Sequence, residues 1–203
     1  MNPYLIVYDF EHAVAEYTGA PYAVAVDSCT NAIFLCLQWW RHKGWLPPHV
    51  LVPKHTYVSV PMQVMHAGSR PSFVDLDWQG LYQLNSTNII DSARRFTSGM
   101  YIRGYFMCTS HHHTKILSCG KGGCILTDNR TAAAWLRRAR FDGRTPGAAV
   151  HEDTINFPGW RMYMTPEQAA RGLMNLAHLP KENPDLPRSD YPDLSKMPVF
   201  QDA

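Results

Sequence analysis

The chain has 203 residues, of which 45% are hydrophobic and 18% are charged, and its formal net charge at pH 7 is +2. This composition is typical of a globular protein, and a near-neutral chain without a Lys/Arg run excludes a nucleic-acid-binding surface. No apolar run approaches the length of a membrane span, and the first residues lack the basic start and cleavage site of a signal peptide.

The first third of the chain predicts a helix, a strand and a second helix. The stretch "FEHAVAEYTG" is amphipathic and ends at Gly19, and "YAVAV" has the character of a buried strand. In "DSCTNAIFLCLQWW" either Ser28 or Thr30 can cap a helix. A strand that leads directly into a helix N-terminus through small and hydroxyl residues is suited to bind an anion, because backbone N–H groups and the helix dipole point at one spot.

Strands and helices continue to alternate in the rest of the chain. Further strands are predicted at "HVLVP", "PSFVDLD", "NIIDSA", "GYFMCT" and "GCILTD", and further helices at "TYVSVPMQVMHAG", "RTAAAWLRRARF" and "TPEQAARGLMNLA". This alternation predicts an α/β fold with a mostly parallel central sheet and helices on both faces. Ligands of such sheets bind at the carboxyl ends of the strands, where Ser28–Thr30, Asp91 and Ser110–Lys115 would converge.

The remaining compositional features concern the C-terminus and the cysteines. The segment 180–203 is rich in proline and has little periodicity, which predicts an extended or partly disordered tail that could lie over a partner. The cysteine number, five, is odd, and several cysteines lie in apolar or glycine-rich contexts. This predicts reduced thiols and a cytoplasmic location.

Three histidines, His111–His113, precede Lys115, with paired glycines shortly after it. Metal binding by these histidines with Cys108 or Cys119 is one interpretation. It is disfavoured because three consecutive side chains cannot all point one way and no C-x-x-C or H-x-x-x-H spacing is present. We therefore predict no metal site, and we expect the histidines to lie at the mouth of a site built around Lys115.

The same region fits the requirements of pyridoxal 5'-phosphate (PLP). A desolvated lysine can form a Schiff base with its aldehyde, and a carboxylate must face its pyridine nitrogen, for which Asp91 at the end of "NIID" is placed. The helix start in "DSCTNA" would supply a phosphate cradle together with Ser110. Tyr57 follows a strand at a position from which its ring could stack on the cofactor.

Several stretches occur in the order of the DegT-like sugar aminotransferases, which are fold-type-I PLP enzymes. They are "FEHAVAEYTGAPYAVAVDSCTNAIFL", "VLVPKHTYVSVPMQVMHAGSRPSFVDLD", "IIDSA", "TSHHHTKILSCGKGGCILTDN" and "GWRMYMTPEQAARGL". Residues 10–178 are therefore similar to that family. The resemblance implies a three-layer PLP-transferase core, a homodimer with shared active sites, and transfer of an amino group from a donor such as glutamate to a keto-sugar, which in this family is linked to a nucleotide.

The resemblance also implies roles for individual residues. Lys115 would be the Schiff-base lysine and Asp91 the partner of the pyridine nitrogen; His112 lies where the family often has a histidine. Tyr57 would stack on the cofactor ring. The remaining cofactor-binding residues implied by the family pattern are Ser28, Cys29, Thr30, Arg94, Ser110 and Arg161, the last reaching the cofactor phosphate of a neighbouring subunit.

Departures from the family pattern affect both the site and the size of the chain. Cys29 replaces a cradle glycine, and Arg94 replaces a glutamine, so that it could pair with the phenolic oxygen of PLP or with a substrate anion. Arg161 replaces an asparagine. Family members are considerably longer, the segment 78–90 is shortened, and the usual C-terminal domain is missing after about Leu179. We accordingly divide the chain into a PLP-binding core, 1–179, and a tail, 180–203.

Two functions remain open at this point. Retention of Lys115, Asp91 and Ser110 together favours a PLP-dependent aminotransferase, and a lysine rather than a histidine favours transamination over dehydration. The alternative is a non-catalytic PLP-binding or structural partner of a fuller enzyme, which the shortened sheet and the substituted cradle favour.

Overall fold

A computed structural model describes residues 3–187 and 189–201. The strands are β1 (Tyr22–Val26), β2 (His49–Pro53), β3 (Arg70–Val74), β4 (Tyr82–Leu84), β5 (Ile89–Asp91), β6 (Phe106–Ser110) and β7 (Gly123–Thr127). The helices are α1 (Leu5–Thr18), α2 (Cys29–His42), α3 (Ser59–His66), α4 (Arg130–Ala139) and α5 (Pro166–Leu176). Two short 3₁₀ turns, Leu194–Lys196 and Pro198–Phe200, follow in the C-terminal segment.

Local signals place three helix ends where the sequence predicts them, but α1 begins at Leu5, five residues before the start of the predicted stretch. α1 ends at Gly19, whose φ of 75° is the left-handed conformation that glycine adopts at low cost. Ser28 caps α2 by accepting a hydrogen bond from the backbone N–H of Asn31. Thr165 and Gln168 form a reciprocal capping box at the start of α5. These caps fix the register of the helices that surround the sheet.

The main sheet has five strands in the order β1-β7-β6-β5-β4. Only β5 and β6 are parallel, and the other three pairings are antiparallel. The α/β class is confirmed, but the prediction of a mostly parallel sheet is wrong. The physical reason lies in the connections: the link 85–88 is too short for a crossover, and the loop 111–122 turns back beside its own strand, so both join antiparallel neighbours, whereas the longer link 92–105 crosses over and makes β5 and β6 parallel. A separate parallel pair, β2 and β3, is connected through α3.

Helices cover both faces of the sheet and make three layers. On β1, Val24 and Val26 face α2, α3 and α4, whereas Ala23 and Ala25 face α1 and α5. This alternation follows from the period of two along a strand, and it explains why β1 and β7 contain almost only apolar residues. Within the described residues, 3–187 and 189–201, no helix has both the length and the apolar character that a membrane span needs.

The C-terminal segment, residues 180–187 and 189–201, packs on the core of its own chain. Arg95 holds Asp185 through two charge-assisted hydrogen bonds of 2.8 and 2.6 Å. Leu194 is fully buried, and the ring of Phe200 packs edge-on against Phe73. The segment therefore crosses the molecule from the loop after β5 to the β2–β3 pair.

Candidate active site

One cavity of about 620 Å³ brings together nearly all of the predicted site residues. It opens where the parallel strands β5 and β6 end and where α2 begins. Because these two strands run in the same direction, Asp91 and Cys108 are paired in register and the residues that follow meet at one edge. The predicted residues that line the cavity are Ser28, Cys29, Thr30, Tyr57, Asp91, Arg94, Ser110, His112 and Lys115.

The N-terminus of α2 forms one side of the cavity. The backbone amides of Cys29 and Thr30 lie in the first turn, where N–H groups have no acceptor within the helix. The hydroxyl of Thr30 is held by Ser59 at 2.8 Å. Gly123 makes this arrangement possible, because a Cβ at that position would lie 2.6 Å from the backbone N of Cys29. The second glycine of the pair therefore allows β7 to approach the helix start closely.

Asp91 is a buried carboxylate with fixed partners. Its Oδ1 accepts from the backbone N–H of Ala93 at 2.8 Å, and its Oδ2 accepts from the hydroxyl of Tyr82 at 2.9 Å. Tyr82 is hydrogen-bonded in turn to Thr56 at 2.7 Å. Burial raises the pKa of Asp91, while its hydrogen bonds and the charge of Lys115 act in the opposite direction. The carboxylate is thus oriented toward the cavity by a chain of hydroxyl groups.

Lys115 lies half-buried on the loop between β6 and β7. The loop is held closed by hydrogen bonds from His111 N to Gly122 O at 2.8 Å and from His113 N to Gly120 O at 3.0 Å. Lys115 lines the cavity and forms no ion pair with the residues that the structure describes. An amine in this position is free to react with a ligand that enters the cavity.

The three histidines do not lie together: among the described residues that line the cavity is His112, and the expectation that all three face the site is wrong for His111 and His113. The ring of His111 is fully buried between Phe10 and Phe96, with its Nδ1 3.2 Å from the carbonyl of Leu117. Burial lowers the pKa of His111 to about 4, so the ring is neutral at pH 7. Alternation at the strand end turns the next residue, His112, toward the cavity. In residues 3–187 and 189–201 no cluster of three or more His, Cys, Asp or Glu side chains could hold a metal ion.

Arg161 lies outside the cavity lining. Its guanidinium pairs with Asp142 at 2.9 Å on the surface, and three quarters of its side chain is exposed. The proposed role of Arg161 at the phosphate of a neighbouring subunit therefore stays a prediction.

Two lining residues, Ser189 and Tyr191, and Tyr82, which supports Asp91 from outside the cavity lining, have no counterpart in the sequence prediction. Tyr82 lies on β4, which the turn-rich composition of segment 78–88 conceals. Ser189 and Tyr191 come from the C-terminal segment, and the ring of Tyr191 lies 6.4 Å from that of Tyr57. The only local signal for Tyr82 is the alternation of two buried residues, Tyr82 and Leu84, around Gln83. The contact of Ser189 and Tyr191 with the site depends on long-range packing.

Comparison with known proteins identifies a matching family model and a relative. The family model described as "DegT/DnrJ/EryC1/StrS aminotransferase family" matches residues 4–99 and 99–185. The spore coat polysaccharide biosynthesis protein SpsC of Bacillus subtilis (strain 168) is 26% identical over an alignment that covers 85% of this chain and 57% of SpsC.

Solved structures share the fold. The sugar aminotransferase CalS13 from Micromonospora echinospora superposes with a TM-score of 0.73 at 18% identity, over 86% of this chain and 60% of CalS13. Helicobacter pylori PseC, an aminotransferase involved in the biosynthesis of pseudoaminic acid, superposes with a TM-score of 0.67 at 14% identity, over 85% of this chain and 57% of PseC. The chain thus spans somewhat more than half the length of the relatives it matches.

Proposed function

This chain belongs to the DegT/DnrJ/EryC1/StrS aminotransferase family, and we propose that it binds PLP in the described cavity and transfers an amino group from a donor such as glutamate to a keto-sugar. Aminotransferases of this family use PLP. The observation that carries the proposal is the presence of Asp91, Lys115 and the start of α2 around a single cavity.

The residues present fit this cofactor. PLP needs an anion at its pyridine nitrogen, an amine at its aldehyde and donors at its phosphate. Asp91 is a carboxylate whose two oxygens already accept from Ala93 and Tyr82, so that its orientation is set before any ligand binds. Lys115 has no competing acid partner among the described residues. The α2 N-terminus supplies unpaired N–H groups and the positive end of the helix dipole.

The proposed roles follow from these positions. Lys115 would hold PLP covalently, and Asp91 would keep the pyridine nitrogen protonated. When bound, the cofactor supplies an electron sink that stabilises negative charge at the carbon of the donor. The residues that would hold its phosphate are Ser28, Cys29, Thr30 and Ser110. Tyr57 would lie on one face of its ring, and His112 would contact the ligand at the cavity mouth.

Lys115 has a second role in the proposed reaction. Its Nζ would act as general base toward the Cα proton of the donor and as general acid when that proton is returned. An amine placed within the cavity suits this work, because general acid–base catalysis depends first on reach and then on pKa. The three side chains that would surround this proton transfer are Lys115, His112 and Tyr57.

The acceptor class and the assembly rest on the relatives. SpsC is named for polysaccharide biosynthesis, and CalS13 is a sugar aminotransferase, which supports a sugar carbonyl as the acceptor; the sequence resemblance implies that this sugar is linked to a nucleotide. We propose a homodimer in which Arg161 reaches the phosphate site of its partner. All five cysteines of the chain are free thiols, in keeping with the predicted cytoplasmic location.

Absorbance spectroscopy with the purified chain tests this function. Added PLP should give a visible band that glutamate bleaches as the cofactor passes to its amino form, and Lys115→Ala should lack both the band and the bleaching. A band that no amino acid bleaches would favour a PLP-binding protein without transaminase activity. Absence of the band in the wild-type protein would contradict PLP binding itself.

A further inference from the structure

Two neighbouring arginines differ sharply in how their charges are satisfied. Arg95 binds both oxygens of Asp185. Arg94 lines the cavity and is half-buried, yet it forms no ion pair with any residue in the described ranges 3–187 and 189–201. A half-buried cation without an anionic partner attracts an anion, and the cavity that Arg94 lines offers room for a ligand that carries one.

The guanidinium of Arg94 is nevertheless held in one orientation. Its Nη1 donates to the hydroxyl of Ser189, and its backbone carbonyl accepts from Leu186 N at 2.9 Å. Its Nε is buried and has no hydrogen-bond acceptor, so a ligand in the cavity would reach the guanidinium through its Nη groups. An arginine presents its N–H groups in a planar fork that matches the two oxygens of a carboxylate. The Nη N–H groups that Ser189 does not occupy are therefore suited to a carboxylate oxygen.

The charges around the cavity point the same way. Among the described lining residues the cations are Arg94, Lys115 and Lys121, and Asp91 is the one acid. Asp91 already accepts from two donors, and Lys115 is the residue that would hold the cofactor. A substrate that brings its own carboxylate would balance the charge that remains at Arg94.

We propose that Arg94, oriented by Ser189, is the binding site for a carboxylate group of the amino donor. This inference rests on the proposed function, because it assigns one side chain to one substrate of that reaction. Arg94 would be a specificity-determining residue that favours amino-acid donors over simple amines. The C-terminal segment contributes to donor binding through Ser189, which would otherwise have no role in the site.

The test uses glutarate, a dicarboxylate that cannot transaminate, with the full chain free of PLP. Binding is followed by tryptophan fluorescence, since Trp78 lines the cavity. Losing a charge-assisted hydrogen bond should weaken binding about 10- to 100-fold in Arg94→Gln. Arg94→Lys should recover part of that loss, Ser189→Ala should give a smaller loss, and Arg103→Gln on the exposed surface should bind as the wild type does.

A second measurement separates donor binding from cofactor binding. With PLP-loaded protein, Arg94→Gln should need at least tenfold more glutamate for half-maximal bleaching while its PLP dissociation constant stays unchanged. Unaltered glutarate binding by Arg94→Gln, or no saturable glutarate binding by the wild type, overturns the proposal. So does a loss confined to PLP affinity, which would assign Arg94 to the cofactor. Failure of the wild type to bind PLP would instead contradict the proposed function. The glutarate measurement on PLP-free protein would then still decide whether Arg94 binds a carboxylate.

Discussion

The two walls of the cavity are built in different ways. The strand-end wall lies at the ends of β1, β5 and β6 and consists of Ser28–Thr30, Asp91, Ser110, His112, Thr114 and Lys115. The C-terminal wall consists of Arg94, Ser189 and Tyr191, which meet through contacts between residues far apart in the chain. The first wall has the chemistry that a cofactor needs, and the second has the free cation and the aromatic ring that a substrate can use. The strand-end wall is thus suited to the cofactor, and the C-terminal wall is suited to the substrate.

The largest expected effect comes from changing the strand-end wall at Asp91. Asp91→Asn should lower the rate of amino transfer about 10²–10³-fold, because a charge placed against the cofactor is lost. Single-turnover bleaching by glutamate measures this rate, and Asp75→Asn, an exposed change of the same kind, serves as the control. A rate close to that of the wild type would show that Asp91 does not face the cofactor.

The same variant should change how stability depends on pH. Burial raises the pKa of Asp91 above 3.8, so its contribution to stability is full below that pH and is lost as pH rises through the raised value. Asp91→Asn cannot ionise, and the PLP-free variant should therefore unfold about 2–4 °C above the wild type at neutral pH if about 1 kcal/mol is recovered. Calorimetry should find this difference shrinking as pH falls toward 3.8.

A smaller effect on PLP binding is expected from Arg161, which in the proposed homodimer reaches the phosphate site of the partner subunit. Arg161→Ala should weaken PLP retention several-fold, while the folding of the isolated chain changes little because the pair with Asp142 is exposed. Dialysis of the loaded protein measures PLP retention, and Arg103→Ala is the matched surface control. Unchanged retention would remove Arg161 from the site.

A change at Tyr82 tests whether the hydrogen bond from its hydroxyl to Asp91 affects amino transfer. In Tyr82→Phe the carboxylate loses a donor that lowers its pKa, so the pKa of Asp91 should rise further. Carboxyl carbon NMR of the PLP-free protein follows this titration directly, and amino transfer should slow by about tenfold or less. Tyr101→Phe removes a hydroxyl that bonds to Tyr105 outside the cavity and should change neither quantity.

The smallest effect is expected at the attachment of the C-terminal wall. Asp185→Asn breaks the two-point contact with Arg95, which is partly exposed and should contribute about 1 kcal/mol or less to the stability of the fold. The amide of Leu186, bonded to the carbonyl of Arg94, should exchange its hydrogen faster. Glu152→Gln, which removes an exposed acid elsewhere, should leave this exchange rate as it is. An unchanged exchange rate in Asp185→Asn would mean that other contacts hold the segment.

How far the sequence predicts each wall follows from how the wall is made. Lys115 and the cap at Ser28 lie in short patterns that carry their own structural signal, and the structure places both at one cavity. β4 is only three residues long and is surrounded by turn residues, so Tyr82 could not be distinguished from a loop. The position of Ser189 in a proline-rich, aperiodic segment gave no indication that it reaches Arg94.

Local sequence patterns likewise could not predict whether neighbouring strands are parallel or antiparallel. β6 and β7 have the continuous apolar character of buried strands, which fits a parallel sheet as well as an antiparallel strand covered on both faces. The deciding factor is that the loop 111–122 returns the chain directly beside its own strand. The same loop carries Lys115. The loop that made the predicted strand direction wrong therefore also positions the proposed catalytic amine.

Reductive trapping of the cofactor tests the central claim most directly. The PLP-loaded protein is treated with borohydride and digested, and the modified peptide is sequenced by mass spectrometry. The account predicts a phosphopyridoxyl group on Lys115 alone. Modification of Lys121 or of another lysine, or no modification in a protein that shows the visible band, would contradict the assignment of this cavity as a PLP site built around Lys115.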